Sequence, residues 1–320
     1  MASLYVDRKN VALRREGEAL VVYVSGERQS TVPMGLLDRV VLRGNVDTDT
    51  GVLGALADAG VAVVVLSGRH SRNLATVIGP LHGDAGRRLA QYALYHDAAR
   101  RTAWSRYLVH RKLVAQERLL RRALAARPDL RHSLTRGLEG LMPLRRRVGG
   151  ANEPMSLNML LGIEGAAASA YFGAFTTLFP PSLNFTGRNR RPPRDPVNAA
   201  LSLAYTLAHA ECVHACHIAG LDPFLGFFHE PAHGRESLAA DCLEPIRPRI
   251  DAWVWGLFRE RLLREDHFSS QEDACLLGKA GRAVFYNEYE HLATPLRRLL
   301  RRAMYAVVRA LGTDDTVPRG

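Results

Sequence analysis

The feature that most constrains the fold is a change of hydrophobic pattern at PLHGD, residues 80–84. Before this segment, short runs rich in Val, Leu and Tyr are separated by turn residues, which predicts strands, and one helix is expected at residues 48–59. After it, apolar residues recur at helical spacing. The sequence therefore predicts an α+β protein. It has a β-rich domain at 1–79, β-sandwich-like with one helix, a linker at 80–84 and a larger all-α domain at 85–320.

The helical part begins with a long segment rich in arginine. Asp84 is the expected N-cap and Pro128 the expected stop of one helix at 85–127. Its basic residues, Lys112 among them, are expected to form a solvated amphipathic face, of which a subset could contact DNA. Residues 250–311 are also expected to be helical.

The net charge of the chain favours a polyanionic partner. The sequence has 43 Lys and Arg residues against 32 Asp and Glu, which gives a formal charge of +11 at pH 7. A genome rich in G and C would explain the preference for Arg over Lys, but not the positive sign. Nucleic acid is therefore the expected partner.

Nothing in the sequence indicates export or a membrane span. No run of 18 apolar residues occurs, and the N-terminal MASLYVDRKN lacks an apolar signal core. The four cysteines predict reduced thiols and a cytoplasmic protein. The Cys and His residues of segment 212–217 lack Cys-x₂-Cys spacing, so no zinc site is expected there.

The stretch 226–248, GFFHEPAHGRESLAADCLEPIRP, collects groups that can hold a metal ion. An apolar run ends at His229, a turn rich in Gly and Pro follows, and a helical segment then carries Asp241 and Glu244. Because these two carboxylates are three residues apart, we expect them on one helix face. One imidazole and two carboxylates indicate a metal bound mainly through oxygen. A third strong ligand must come from elsewhere in the chain.

Glu164 is the candidate for that ligand. It is the single charge within residues 162–170, a helical segment dominated by Gly and Ala, whose small side chains would let another helix approach closely. A carboxylate desolvated there needs a counter-charge or a metal. This segment alone fits a structural ion pair with an arginine equally well. Together with His229 and Glu244, it favours a metal ligand.

Residues 184–198, NFTGRNRRPPRDPVN, form a Pro-rich loop that is dense in arginine. Its prolines exclude a helix and stiffen the chain. Such a loop suits contact with DNA phosphates, although its arginines could instead pair with acidic residues of the protein itself. The residues expected to bind DNA are Arg188, Arg190, Arg191, Arg194 and Arg247.

Four segments together carry a resemblance to a known family. In chain order they are LDRVVLRGNVDTDTGVLGALADAGVAVVVLSGR, GIEGAAASAYF, GRNRRPPRDPVNAALSLAYTL and GLDPFLGFFHEPAHGRESLAADCLEPIRP. In these motifs the sequence resembles the CRISPR-associated endonuclease/integrase of spacer acquisition. The resemblance implies that Glu164, His229 and Glu244 are the catalytic residues and the metal ligands, with Asp241 in a supporting position. His229 is expected to be a ligand rather than a proton shuttle.

The resemblance also implies a cofactor, a substrate and partners. Mg²⁺ or Mn²⁺ would polarise the scissile phosphate. The 3′-hydroxyl of a captured double-stranded DNA fragment would attack a phosphodiester of a CRISPR repeat. Family members form homodimers through the β-rich domain. Two dimers flank a dimer of a small ferredoxin-like CRISPR-associated protein, in a heterohexamer.

Two other functions use the same residues. A structure-specific, metal-dependent nuclease of DNA repair would have an identical site with water as the nucleophile. A non-catalytic nucleic-acid scaffold would use the acidic cluster as an ion-pair network, and would show no Mn²⁺-dependent chemistry.

The arginine-rich loop leads to a first prediction. The double substitution Arg190→Ala with Arg191→Ala is expected to weaken DNA binding and to flatten its dependence on salt, because fewer counterions are released from DNA phosphates. DNA affinity measured over a series of salt concentrations checks this. An unchanged slope would contradict a role for the loop in phosphate binding.

Overall fold

A computed structural model of the chain describes residues 2–68, 73–80, 82–150, 154–189, 192–271 and 274–312. The chain divides into two compact units, Met1–His82 with Tyr286–Leu296, and Gly83–Phe285 with Arg297–Gly320. Strands dominate the N-terminal part and helices the remainder, so the predicted α+β class is confirmed.

Two four-stranded sheets build the first unit. The strands are β1 Ala2–Val6, β2 Val11–Glu16, β3 Ala19–Val24, β4 Glu27–Pro33, β5 Leu37–Arg43, β6 Val46–Asp47, β7 Ala62–Leu66 and β8 Asn73–Val77. One sheet has the order β1-β5-β7-β8 and the other β4-β3-β2-β6. In the first sheet β1, β5 and β7 are parallel and β8 is antiparallel to β7. In the second, β2, β3 and β4 form an antiparallel meander and β6 is parallel to β2.

Both sheets and helix α1, Thr50–Asp58, contribute to one core, which contains Leu13, Val40 and Leu56. The Asp49 carboxylate caps α1 by accepting from the Val52 N–H. Gly60 follows the helix with a φ of 70°, which glycine adopts without strain. The β-sandwich-like arrangement with one covering helix therefore agrees with the sequence.

Eight further helices are described. They are α2 Ala85–His96, α3 Ala98–Ala126, α4 Arg131–Gly149, α5 Leu157–Phe175, α6 Pro196–Ala219, α7 Ser237–Leu243, α8 Arg247–Arg259 and α9 Lys279–Leu311. The single helix expected at 85–127 is wrong, because Asp97 interrupts it and caps α3 through the N–H groups of Ala99 and Arg100. No helix in the described ranges is both long enough and apolar enough to cross a membrane.

A β-hairpin interrupts the region expected to be helical at 250–311. Strands β9, Phe268–Gln271, and β10, Ala274–Leu277, pair antiparallel. The hairpin is stabilised by distant parts of the chain, since the Cys275 N–H donates to the Pro193 carbonyl at 2.7 Å. Its strands of four residues are too short for a periodic pattern to reveal.

Helices α4 and α5 approach closely where small residues face each other. A Cβ added at Gly137 would overlap the Cβ of Ala174, and one at Gly140 would lie 3.0 Å from the Cβ of Ala170. The small residues of α5 thus do allow a close approach, but only near its C-terminal end. Gly165, beside Glu164, is exposed and has no atom within 4 Å of an added Cβ.

These contacts predict opposite effects for two glycine substitutions. Gly137→Val is expected to lower the free energy of unfolding by about 1–3 kcal/mol, because the added methyl groups overpack the α4–α5 contact. Gly165→Ala is expected to raise it by about 0.5–1 kcal/mol, because alanine is the better helix former and has room. Urea denaturation of both variants checks the pair, and equal effects would contradict it.

Candidate metal centre

The buried carboxylate of Asp241, on α7, organises the loop that carries His229. One oxygen, Oδ2, accepts from the backbone N–H groups of Phe227 at 2.6 Å and Phe228 at 2.9 Å. The other, Oδ1, accepts from the His229 N–H at 3.0 Å and contacts its ring Nδ1 at 2.7 Å. Asp241 therefore fixes both the backbone of the loop and the imidazole.

The contact with Asp241 determines what His229 can do. A ring nitrogen facing a carboxylate carries the proton, so in the neutral ring Nε2 bears the lone pair. This is the arrangement in which metal-binding histidines are usually held. Gly226 is required for it, since an added Cβ would lie 2.7 Å from the Ser237 carbonyl carbon and 2.8 Å from Asp241 Oδ2.

Glu164 and Glu244 meet at a buried lysine. Glu164 lies on α5, and Glu244 begins the 3₁₀ turn that follows α7. The Lys112 ammonium, on α3, donates to Glu164 Oε1 and, at 2.6 Å, to Glu244 Oε2. The expectation that Lys112 lies on a solvated face is wrong, because α3 packs against α5 and against this turn.

Arg247 contacts the other oxygen of Glu244. Its Nε donates to Glu244 Oε1 at 2.8 Å, and its guanidinium lies 4.5 Å from the ring centroid of Tyr205. Burial raises the pKa of the Glu244 carboxyl, but the charges of Arg247 and Lys112 outweigh burial and lower that pKa to about 2. Glu244 is therefore ionised at neutral pH.

Tyr205 is itself anchored by a buried carboxylate on α8. Asp251 accepts a hydrogen bond from the Tyr205 hydroxyl and another, at 2.8 Å, from the Tyr171 hydroxyl. Burial raises the pKa of Asp251 to about 6, although both hydroxyls oppose the shift. This network fixes the ring on which Arg247 lies.

The donor set fits a hard divalent ion, although it is not arranged as a complete cluster. Within the described residues, no three His, Cys, Asp or Glu side chains lie together as a ready metal site. Glu164 and Glu244 nevertheless share one cation, the Lys112 ammonium, so both can contact a single positive charge. His229 contributes to the electrostatic surroundings of Glu244. Two carboxylates and one imidazole nitrogen suit Mg²⁺ or Mn²⁺.

Asp241 and Glu244, expected on one helix face, have different partners. Asp241 binds the loop through its side chain, whose exposed fraction is 0%. Glu244 binds the two cations and its side chain is 10% exposed. The structure thus gives Asp241 a positioning role.

The arginines expected to bind DNA have distinct surroundings. Arg188 donates to the Asn189 carbonyl at 2.6 Å and to Asn198 Oδ1 at 2.5 Å, so its guanidinium is engaged within the protein. Arg194 is exposed. Arg190 and Arg191 lie outside the described residues, and DNA contact by the whole set stays a prediction.

One buried amide, that of Asn198, joins the two sides of the described part of the loop at 184–198. Asn198 Nδ2 donates to the Gly187 carbonyl at 2.8 Å and to Asp195 Oδ2 at 2.6 Å. The expectation that Pro196 excludes a helix is wrong, because it is the first residue of α6, with Asp195 as the N-cap. Proline is favoured there because that N–H has no helical partner.

Comparison with known proteins identifies the family. The family model described as CRISPR associated protein Cas1 matches residues 4–291. The chain belongs to the Cas1 family. The CRISPR-associated endonuclease Cas1 1 of Thermodesulfovibrio yellowstonii is 35% identical over 322 residues, which cover 100% of both chains. The predicted family and its enzyme class, a nuclease/integrase of spacer acquisition, are confirmed.

Two solved structures share the Cas1 fold. A casposase bound to integration product has a TM-score of 0.82 and 21% identity, over 100% of this chain and 94% of that one. A Cas6-RT-Cas1–Cas2 complex has a TM-score of 0.82 and 21% identity, over 98% of this chain and 35% of that one.

The lowered pKa of Glu244 predicts how its stabilising effect depends on pH. The pKa of Glu244 in the folded protein lies below its unfolded value of 4.5. The stabilisation that its carboxylate gives to the folded state is therefore complete above pH 4.5 and is lost as the pH falls towards 2. Glu244→Gln is expected to lower the free energy of unfolding at pH 7 by roughly 3 kcal/mol, and the difference from wild type should shrink below pH 4.5.

Denaturation across pH 2–8 measures this difference. Glu260→Gln is the matched control, because the Glu260 side chain is 56% exposed and contacts only a neighbouring arginine among the described ion pairs. A Glu244→Gln difference that stays constant over the whole range would contradict the assignment.

Proposed function

We propose that the protein joins the 3′-hydroxyl ends of captured DNA fragments into a CRISPR repeat by metal-dependent transesterification. The observation that carries this proposal is the convergence of Glu164 and Glu244 on one cation. Beside them, His229 keeps the lone pair of Nε2 available because Asp241 holds Nδ1. Membership of the Cas1 family supports the same conclusion.

Glu164, Glu244 and Nε2 of His229 are the residues that would hold Mg²⁺ or Mn²⁺. When bound, the ion supplies a Lewis acid for the scissile phosphate and for the charge on the leaving oxygen. Asp241 positions the imidazole as a ligand. A ligand role is favoured over a proton shuttle for His229 because its imidazole is fixed beside acidic groups.

Access to the site is best from the side of α5. The Glu164 side chain is 25% exposed, against 10% for Glu244. Its helical neighbours Gly165, Ala166 and Ser169 are small and exposed. These small residues leave room for a DNA backbone beside Glu164, and the large exposed side chain nearest on α5 is Leu161, one turn before it.

The reaction exchanges one phosphodiester bond for another. The 3′-oxygen of the fragment forms a bond to phosphorus as the bond to the leaving oxygen of the repeat strand breaks, and the nucleophile's proton is lost as the leaving oxygen gains one. Water in place of the 3′-hydroxyl would make the same site a nuclease. The supply of a 3′-hydroxyl end therefore distinguishes integration from repair cleavage.

The set proposed for DNA contact is Arg188, Arg190, Arg191, Arg194 and Arg247, with different roles for its members. Arg194 is exposed and can reach phosphates, whereas Arg188 and Arg247 would act mainly by holding the loop and Glu244 in place. Phosphate contacts position the duplex without reading its sequence.

The proposed assembly is a homodimer formed through the N-terminal unit, with a small ferredoxin-like CRISPR-associated partner in a heterohexamer. Leu36 is 61% and Leu74 is 54% exposed in this unit, so apolar side chains are accessible there. The fold similarity to a Cas1–Cas2 complex supports a protein partner. The proposed location is the cytoplasm.

An integration assay tests the proposed function. Purified protein, with and without the small partner, is incubated with a 3′-hydroxyl duplex, a repeat-bearing plasmid and Mn²⁺. Glu164→Ala or His229→Ala is expected to reduce joining by at least about 10³-fold, as expected when charge stabilisation is lost in the transition state, with DNA affinity within about threefold of wild type.

His233→Ala is the matched control, since His233 is an exposed imidazole in the same stretch. This variant should join DNA at the wild-type rate. Wild-type joining by Glu164→Ala would show that the site assignment is wrong, and cleavage without joining by the unmodified protein would favour the repair nuclease.

A further inference from the structure

Lys112 occupies the point where the two acidic ligands converge. It comes from α3, whereas Glu164 comes from α5 and Glu244 from the turn after α7. Its side chain is only 9% exposed, and its ammonium donates to both carboxylates. No other described ion pair of the chain joins one buried lysine to two glutamates.

The contacts of Glu244 leave little room for a second cation. Oε1 accepts from Arg247 at 2.8 Å, and Oε2 accepts from Lys112 at 2.6 Å. Glu164 presents Oε1 to the same ammonium. A divalent ion that both carboxylates bind through Glu164 Oε1 and Glu244 Oε2 must therefore take the place of the Lys112 ammonium.

Like charges at such short range repel strongly in a buried site. An ammonium and a divalent ion cannot both lie between the same two carboxylates. Arg247 is less able to move, because its guanidinium also lies on the Tyr205 ring, which Asp251 anchors. Lys112 has a flexible side chain and makes both of its described ion pairs at this point.

We propose that Lys112 is an internal counter-ion that a divalent cation must displace from Glu164 and Glu244. This inference rests on the proposed metal site. Lys112 holds the two carboxylates together in the metal-free protein and so prevents their mutual repulsion. The same contact lowers the affinity of the site for the ion. Lys112 is thus a positioning residue that sets the metal concentration at which the enzyme becomes active.

Direct metal binding tests this inference without any use of activity. Mn²⁺ binding to the full-length protein is measured by titration calorimetry and by loss of the free Mn²⁺ EPR signal. Lys112→Met is expected to bind Mn²⁺ at least tenfold more tightly than wild type, because no ammonium has to be displaced. Lys112→Arg retains the charge and is expected to bind no more tightly than wild type.

Two further variants provide an alternative to Lys112→Met and a control for the change in net charge. Lys112→Gln removes the charge but keeps a hydrogen-bond donor, and should also bind at least tenfold more tightly if Lys112→Met fails to fold. Arg121→Met is the control for net charge on the same helix, since Arg121 pairs with Glu117 and its side chain is 54% exposed. Its Mn²⁺ affinity should stay within twofold of wild type.

Thermal melting adds a second readout. Without metal, Lys112→Met should melt at a lower temperature than wild type, and saturating Mn²⁺ should raise its melting temperature by more than that of wild type. If Lys112→Met or Lys112→Gln binds Mn²⁺ with equal or lower affinity than wild type, the inference is overturned and the metal site still stands. Absence of saturable Mn²⁺ binding in every protein would overturn both the inference and the metal site.

Discussion

The candidate site depends on one buried carboxylate. Asp241 accepts hydrogen bonds from three consecutive backbone N–H groups and from the imidazole Nδ1 of His229. A buried donor left without a partner costs about 1–3 kcal/mol, so loss of this carboxylate would destabilise the whole loop. The position of His229 relative to Glu244 follows from this contact, because α7 leads directly into the turn that begins with Glu244.

The remaining electrostatics are a balance of buried charges. Glu244 has two cationic partners, and Glu164 shares one of them. Burying charges is unfavourable unless the geometry of the pairing is good, and removing one partner leaves its neighbours uncompensated. A protein that needs acidic ligands for a metal must stabilise them when the ion is absent. The cluster around Lys112 meets this requirement.

Sequence patterns predicted the class of fold and the residues with the strongest local signals. Asp84 caps α2 as expected, because capping acts over a few residues and is visible in sequence. The resemblance to the family indicated which carboxylates and which imidazole form the candidate metal site. Long-range contacts were not predictable. Lys112 resembles its solvated neighbours on α3, and only the packing of α5 and the turn around it makes it buried.

Long-range contacts also explain the other differences between the sequence-based predictions and the structure. Asp241 is separated from its backbone partners by a turn, so neither helical spacing nor composition indicates that it faces the loop. The hairpin at 268–277 contains too few residues for a periodicity, and part of its support comes from Pro193. Local rules thus succeed at some helix ends, such as Asp84, and fail where a side chain's partners come from distant elements.

Helix α9 contributes one segment to the first unit, and this limits where the genes of related proteins can be recombined. Residues 286–296 of this helix belong to the first unit, where Tyr286 stacks on Tyr5 and Glu290 accepts from the Tyr5 hydroxyl at 2.7 Å. A genetic crossover at PLHGD would therefore exchange the strands without the helix segment that matches them. Viable hybrids between relatives should need at least two crossovers, and the sequences of β1 and residues 286–296 of α9 should be inherited together.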